Sequence, residues 1–267
     1  NGVWQAKDTA GLTFGTNGFR LKFADNSSNA ALGTDSSGNS NTWTVNNLSA
    51  GAVSNPTAQQ NFNVVTWTGN SSNRDIATTL APDFVWIKSR SHTTNHVVYD
   101  VVRGPSKVLY TDTTSDEGSS SSQLTAFNSN SFSLGSGNEV NQSGRTYVAW
   151  YWRAGGAASS NTDGTITSSV SANAAYGFSI IKAPISSSGG TIGTGLNASP
   201  GMLIVKNIGS NSTNWVVWHS SLGTNDYLLL NSNAAKATSS NLFNGVSNST
   251  FTVGSGFASA TPDFICY

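Results

Sequence analysis

Apolar positions along this chain come in short bursts that alternate with polar ones, and the bursts are separated by clusters of Gly, Asn, Ser and Asp. That alternation has the two-residue period of strands. No stretch keeps apolar residues at i, i+3, i+4 and i+7 for three turns, and the Ala-rich stretches are broken by Gly and Ser. The pattern predicts strands over 19–23, 43–48, 62–67, 84–88, 97–101, 107–110, 132–134 and 147–152. A second series follows in the same order, over 178–182, 202–206, 215–219, 227–230, 251–253 and 264–267.

The two series are copies of one unit. Pro82-Asp-Phe-Val-Trp-Ile-Lys88 matches Pro200-Gly-Met-Leu-Ile-Val-Lys206, 118 positions on (200 minus 82). Phe132-Ser-Leu-Gly-Ser-Gly137 matches Phe251-Thr-Val-Gly-Ser-Gly256, 119 positions on (251 minus 132). Between these anchors His96-Val-Val-Tyr-Asp100 stands opposite Trp215-Val-Val-Trp-His219, and Gly104 opposite Gly223. An interval this long exceeds the periods of solenoids and propeller blades, so each copy is domain-sized. The expected fold is all-β: tandem β-sandwich-like (jelly-roll-like) domains from an internal duplication, over 56–157 and 158–267, preceded by a smaller N-terminal β segment over 1–55.

Pro82 and Pro200 suit strand starts, where a missing N–H leaves no ladder bond unmade. After Pro82, Phe84, Trp86 and Lys88 share one face and Val85 and Ile87 the other, which predicts a central strand buried on one side and most of the second. Residues 154–177 read as the connection between copies, with a turn at Asn161-Thr-Asp-Gly164 and an extra strand over 165–170.

Composition narrows the function classes. The apolar fraction is 37% and the charged fraction only 10%, so the fold must form without ion-pair networks, while 8 Trp, 7 Tyr and 12 Phe supply buriable area that a disordered tail lacks. Thirteen basic residues balance thirteen acidic ones, leaving no net field to attract nucleic acid or an anionic bilayer. Cys266 is the one cysteine, so an intrachain disulfide is excluded and a buried thiol is expected. No apolar run reaches the length of about 18 residues that a spanning helix needs, and membrane insertion is not expected. The chain opens on Asn1 and closes on a strand-like 264–267, which predicts a piece of a longer protein.

Candidate chemistry is sparse, and no catalytic, cofactor-binding or metal-binding residue is assigned. His92, His96 and His219 have no zinc-ligand spacing; the loops near Asp25 and Asp35 could offer calcium oxygen ligands, but Asp35-Ser-Ser-Gly-Asn39 lacks the ligand spacing and acidic closure of an EF-hand and reads as a turn. In so Ser-rich a chain a Ser/His/Asp triple carries no information, and no GxSxG elbow occurs. Asp116 and Glu117 read as solvated loop charge, and the Gly135–Gly137 and Gly254–Gly256 segments as turns. The Asn-x-Ser/Thr triplets at Asn26, Asn47, Asn70, Asn141, Asn197, Asn211 and Asn248 follow from composition. Exposed aromatics could stack on sugar rings, and Trp150 and Trp152 share one strand face; the competing reading makes Trp4, Trp43, Trp67, Trp86, Trp150, Trp152, Trp215 and Trp218 packing residues.

Asn17-Gly-Phe-Arg-Leu-Lys-Phe23, Asp35-Ser-Ser-Gly-Asn-Ser-Asn-Thr-Trp43, Pro82-Asp-Phe-Val-Trp-Ile-Lys88, Val98-Tyr-Asp100, Arg103-Gly104 and Tyr147-Val-Ala-Trp-Tyr-Trp-Arg-Ala-Gly155 resemble a repeat of structural and tail-fibre-like proteins of marine, notably cyanobacterial, tailed phages. The resemblance implies a β-rich virion protein with no catalytic residue to carry over. The second copy departs from it with Gly201 at the place of Asp83 and His219 at that of Asp100, so a role resting on those aspartates is not duplicated. The expected function is a non-enzymatic subunit of a phage fibre or surface appendage, on a virion surface or otherwise extracellular. Its expected partners are further copies of itself, other virion or filament proteins and a host-surface glycan. A carbohydrate-binding module is one alternative. A bacterial surface or filament subunit is another, in which an unpaired strand over 264–267 completes a neighbour.

Overall fold

The computed structural model describes residues 11–22, 28–46, 60–209, 212–257 and 263–267. They fall into two compact units divided between Thr57 and Ala58.

In the first unit the strand expected over 19–23 does not form in its described part, 19–22, which contributes one bridge, Leu21 with Asp35. Residues 43–46 are irregular, and 23, 47 and 48 lie outside the described residues. Side chains replace a ladder here. The Asp35 carboxylate accepts the backbone N–H groups of Arg20 (2.8 Å), Ser37 (2.8 Å) and Asn41 (2.9 Å) and the Ser37 hydroxyl (2.7 Å). The amides of Asn39 and Asn41 donate to the Gly18 carbonyl, at 2.9 Å each. The loop expected at Asp35 is therefore a closed, hydrogen-bonded turn. Burial works to raise the Asp35 pKa, but these donors hold it at about 2.

In the second unit the first copy contributes β1 (Phe62–Thr68), β2 (Arg74–Ala77), β3 (Phe84–Ser89), β4 (Val97–Asp100), β5 (Lys107–Tyr110), β6 (Gly118–Ser119), β7 (Leu124–Phe127), β8 (Ser131–Leu134) and β9 (Thr146–Trp152). The second contributes β10 (Ser159–Asn161), β11 (Ser168–Asn173), β12 (Phe178–Ala183), β13 (Gly190–Gly193), β14 (Met202–Asn207), β15 (Val216–His219), β16 (Asp226–Leu229), β17 (Ala237–Thr238), β18 (Phe243–Val246), β19 (Thr250–Val253) and β20 (Phe264–Cys266).

Each copy is a broad antiparallel sheet faced by a three-stranded one. The orders are β1-β9-β3-β4-β5-β6 with β2-β8-β7, and β12-β20-β14-β15-β16-β17 with β13-β19-β18. Strand for strand these are the same topology, and register agrees as well: Val85 pairs with Tyr99 as Leu203 pairs with Trp218. The ladder slips between Leu124 and Ala126 and again at the equivalent Phe243 and Gly245. Duplication thus shows in the bulges as well as in the strands. The second copy adds β10 and β11, a hairpin that extends its sheet beyond β12, and the strand expected over 165–170 forms three residues later.

A further expectation is overturned. The strand at the end of the chain, β20, lies inside its sheet, bonded to β12 on one side and β14 on the other, so it has no free edge to lend to a neighbour.

Three apolar cores follow from this arrangement. Trp67, Val85, Ile87, Tyr99, Phe132 and Tyr147 fill the first sandwich-like body. Ile181, Val205, Trp218, Phe251, Phe264 and Cys266 fill the second. Burial pushes the Cys266 thiol up to about 12, which keeps it protonated and inert. The third core lies between the outer faces of the two broad sheets, where Phe84, Val98 and Leu109 meet Ile180, Trp215 and Ile265. The unit is therefore four sheets deep, with the broad sheets back to back in the middle, and β3 and β4 are apolar on both faces because both faces are covered.

Candidate functional site

The seam between the broad sheets holds a network of buried polar and charged side chains. β4 ends on Asp100, whose Oδ1 accepts the N–H groups of Val102 (3.0 Å) and Arg103 (2.9 Å) and closes the turn to β5. Its Oδ2 accepts Arg103 Nε at 2.5 Å and, across the seam, the Tyr267 hydroxyl at 2.6 Å. The remaining guanidinium hydrogens reach the carbonyls of Lys107 (2.9 Å) and Val98 (3.2 Å) and the Glu117 carboxylate (3.4 Å). Burial works against the Arg103 charge, but Asp100, Tyr267 and Glu117 outweigh it and raise its pKa. Burial and the Asp100 charge raise the Tyr267 phenol well above its usual value, so it stays a donor.

Glu117, expected to be solvated, is mostly buried and bridges Arg103 and Lys107. Asp116 instead crosses the seam, where its Oδ1 accepts the Ser212 N–H at 2.7 Å. Further links cross beside it. Trp215 Nε1 donates to the Tyr110 carbonyl (2.8 Å), and the buried Lys206 ammonium bonds the carbonyls of Thr114 (3.3 Å) and Thr213 (2.9 Å). Desolvation lowers the Lys206 pKa to about 8 despite the Asp116 charge. Asp83 receives the N–H groups of Ala154 (2.8 Å) and Gly156 (3.2 Å), which fixes the chain as it leaves the first copy. Both aspartates absent from the second copy thus have structural partners where they do occur.

At one margin of the seam the cover runs out and an aromatic shelf is left. Strands β1, β9 and β3 set Phe62, Trp152 and Phe84 in one cross-strand row and Val64, Trp150 and Trp86 in the next. Phe62 packs on Trp152 at 4.6 Å between centroids, Trp152 stacks on Phe178 at 6.0 Å, and Trp86 meets Trp150 edge-on at 6.4 Å. Beside them a cavity of about 250 Å³ is walled by Trp86, Trp152, Phe178, Met202 and Tyr267 among others. Its lining is apolar, and Met202 is 50% exposed at its rim.

Residues 57–267 match the family described as Domain of unknown function (DUF7483). The chain belongs to that family. No curated protein and no solved structure matches it. The DUF7483 match takes in both copies and the seam between them.

Within the DUF7483 domain the tryptophans divide by position. Trp67, Trp215 and Trp218 are buried packing residues, whereas Trp86, Trp150 and Trp152 are half-buried on the shelf. In the first unit Trp43 is 52% exposed and meets Phe19 edge-on at 4.8 Å; Trp4 lies outside the described residues. Among the described residues no three His, Cys, Asp or Glu side chains converge. His92 and His96 lie on the loop after β3, and His219 ends β15. The Gly135–Gly137 and Gly254–Gly256 turns are equivalent close approaches: a Cβ on Gly135 would come within 2.6 Å of the Ser122 carbonyl, and one on Gly254 within 2.6 Å of the Asn241 carbonyl.

Proposed function

We propose that this chain is a non-enzymatic structural module of a virion fibre or other extracellular surface assembly. The observation that carries this reading is the seam. Five ionisable groups of the seam, Asp100, Arg103, Glu117, Lys206 and Tyr267, are bonded to one another or to backbone, and the Tyr267–Asp100 and Lys206–Thr114 bonds tie the two copies together. A surface rich in Ser, Thr and Asn and the resemblance of the repeat pattern to tail-fibre-like proteins support the same reading. Gold-labelled antibody against this chain, imaged on particles or cells that produce the natural protein, tests it. Label on a fibre or surface appendage is expected; label confined to the interior of the producing cell overturns it.

The shelf favours a second reading, a carbohydrate-binding module, because Phe62 and Trp150 present partly exposed rings of the kind that stack on the C–H face of a sugar. The cavity beside them offers little to hydroxyl groups, since its lining is apolar. A glycan array with the folded chain decides this: binding that Trp150→Ala abolishes supports it, and a blank array removes it.

A further inference from the structure

Among the described residues strand β1 is an open edge, in a fold that closes the same edge in its second copy. Arg153 N–H bonds the Asn61 carbonyl and Gly69 N–H the Arg145 carbonyl, so Asn63, Val65 and Trp67 turn their main-chain groups toward β9. Those of Phe62, Val64, Thr66 and Thr68 therefore point outward, away from the sheet. Two of these groups have local partners: Asn63 Oδ1 accepts the Val64 N–H at 2.8 Å, and Arg74 Nη1 donates to the Thr68 carbonyl at 2.9 Å. No strand lies beyond β1 among the described residues.

In the second copy the equivalent strand, β12, is covered. Its Phe178, Ile180 and Lys182 pair with Asn173, Ser171 and Ser169 of β11. The architecture thus accepts an antiparallel, uncharged strand at this position. At the far end of the first broad sheet the edge is blunted in the usual ways, by a two-residue strand and the adjacent Lys107–Glu117 ion pair. β1 has none of these devices: its seven residues, Phe-Asn-Val-Val-Thr-Trp-Thr, include no charge, no Gly and no Pro.

We propose that β1 pairs with β1 of a second copy of this chain, antiparallel across a two-fold axis. A strand facing its own copy in this way is self-complementary. Full overlap sets Phe62 opposite Thr68 and Val64 opposite Thr66, and no like charges meet. The pairing displaces the Asn63 side chain from one amide and supplies main-chain partners for a row of outward groups. It also covers Phe62 and Val64, which are 36% and 43% exposed, and extends the shelf of Trp150 and Trp152 across the joint. A second copy fits because full overlap brings the outward-bonding residues of the two strands opposite one another in pairs, with no Pro and no charge in the way. The inference stands on the geometry of β1 and not on the surface-assembly reading, which antibody imaging tests separately.

Light scattering on the size-fractionated 267-residue chain reads the outcome. A dimer is expected for the parent. Val64→Lys with Thr66→Lys is expected to be monomeric with an unchanged circular dichroism spectrum. Val64→Lys with Thr66→Glu, which sets lysine against glutamate across the axis, is expected to be a dimer again. Hydrogen exchange at the Thr66 amide of the parent gives a reading that needs no variant: protection should rise with protein concentration. A parent that stays monomeric, a dimer that survives both lysines, or a Thr66 amide protected equally at every dilution, as closure by another part of the same chain would give, overturns the proposal.

Discussion

Asp100 serves two structures at once, since one oxygen closes the turn after β4 and the other joins Arg103 to Tyr267 across the seam. Asp100→Ala leaves the Arg103 guanidinium buried without its nearest counter-charge, and a loss of about 3–5 kcal/mol in denaturant unfolding is expected. Tyr267→Phe removes a single bond to a charged acceptor, and about 1–3 kcal/mol is expected by the same measurement. Lys206 behaves in the opposite sense. Its folded pKa, about 8, lies below the ordinary 10.5, so the unfolded chain binds the proton more readily. Stability should therefore rise with pH between about 8 and 10.5, by on the order of 1–3 kcal/mol, and this rise should be missing from Lys206→Met. Thermal unfolding of the two proteins across that window measures it.

At the scale of elements the two copies have diverged where they look most alike. Lys107 with Glu117 and Asp226 with Lys236 occupy equivalent places beside the β5–β6 and β16–β17 edges, with the charges exchanged. The settings differ, because Glu117 also holds the buried Arg103 while Lys236 is half-exposed. Lys236→Gln should change unfolding free energy by less than about 1 kcal/mol, and Glu117→Gln by about 1–3 kcal/mol. Sequence disclosed the main strands of the broad sheets well, because alternation and punctuation act within a few residues of each other, but it missed β2, β7, β13 and β18, which flank β8 and β19 in the small sheets, and the two- and three-residue strands β6, β10 and β17. It failed over 19–22 and 43–46, where Asp35, Asn39 and Asn41 compete for the backbone through side-chain bonds that a hydrophobic pattern does not register. At 264–267 it gave the strand but not its place inside the sheet, since chain order says nothing of which strands will lie on either side. Glu117 was misread likewise, since its partner Arg103 is fourteen positions away.

For the whole molecule, the periodicity showed that β3 is apolar on both faces but not that the other copy covers the outer one. Phe84 and Trp86 would look the same in sequence beneath a ligand or a neighbouring subunit. The shelf was legible only as a shared face of Trp150 and Trp152, for its rows and its cavity depend on β1 and β14 coming alongside. With a core of its own between them, the two sandwich-like bodies should unfold together. Trp215→Ala, placed in that core, should lower stability by about 3–5 kcal/mol and weaken hydrogen-exchange protection in β8 and β19 alike. Loss of protection in β19 alone would show two independent bodies.

Back-to-back packing also limits how such a protein can lengthen. Each broad sheet has given its outer side to its twin, so a third copy appended to this pair would find no matching surface and would leave an oily flank in water. Chains on this plan should therefore grow by twos, and an odd number of copies should appear only where some other molecule shields the one left over.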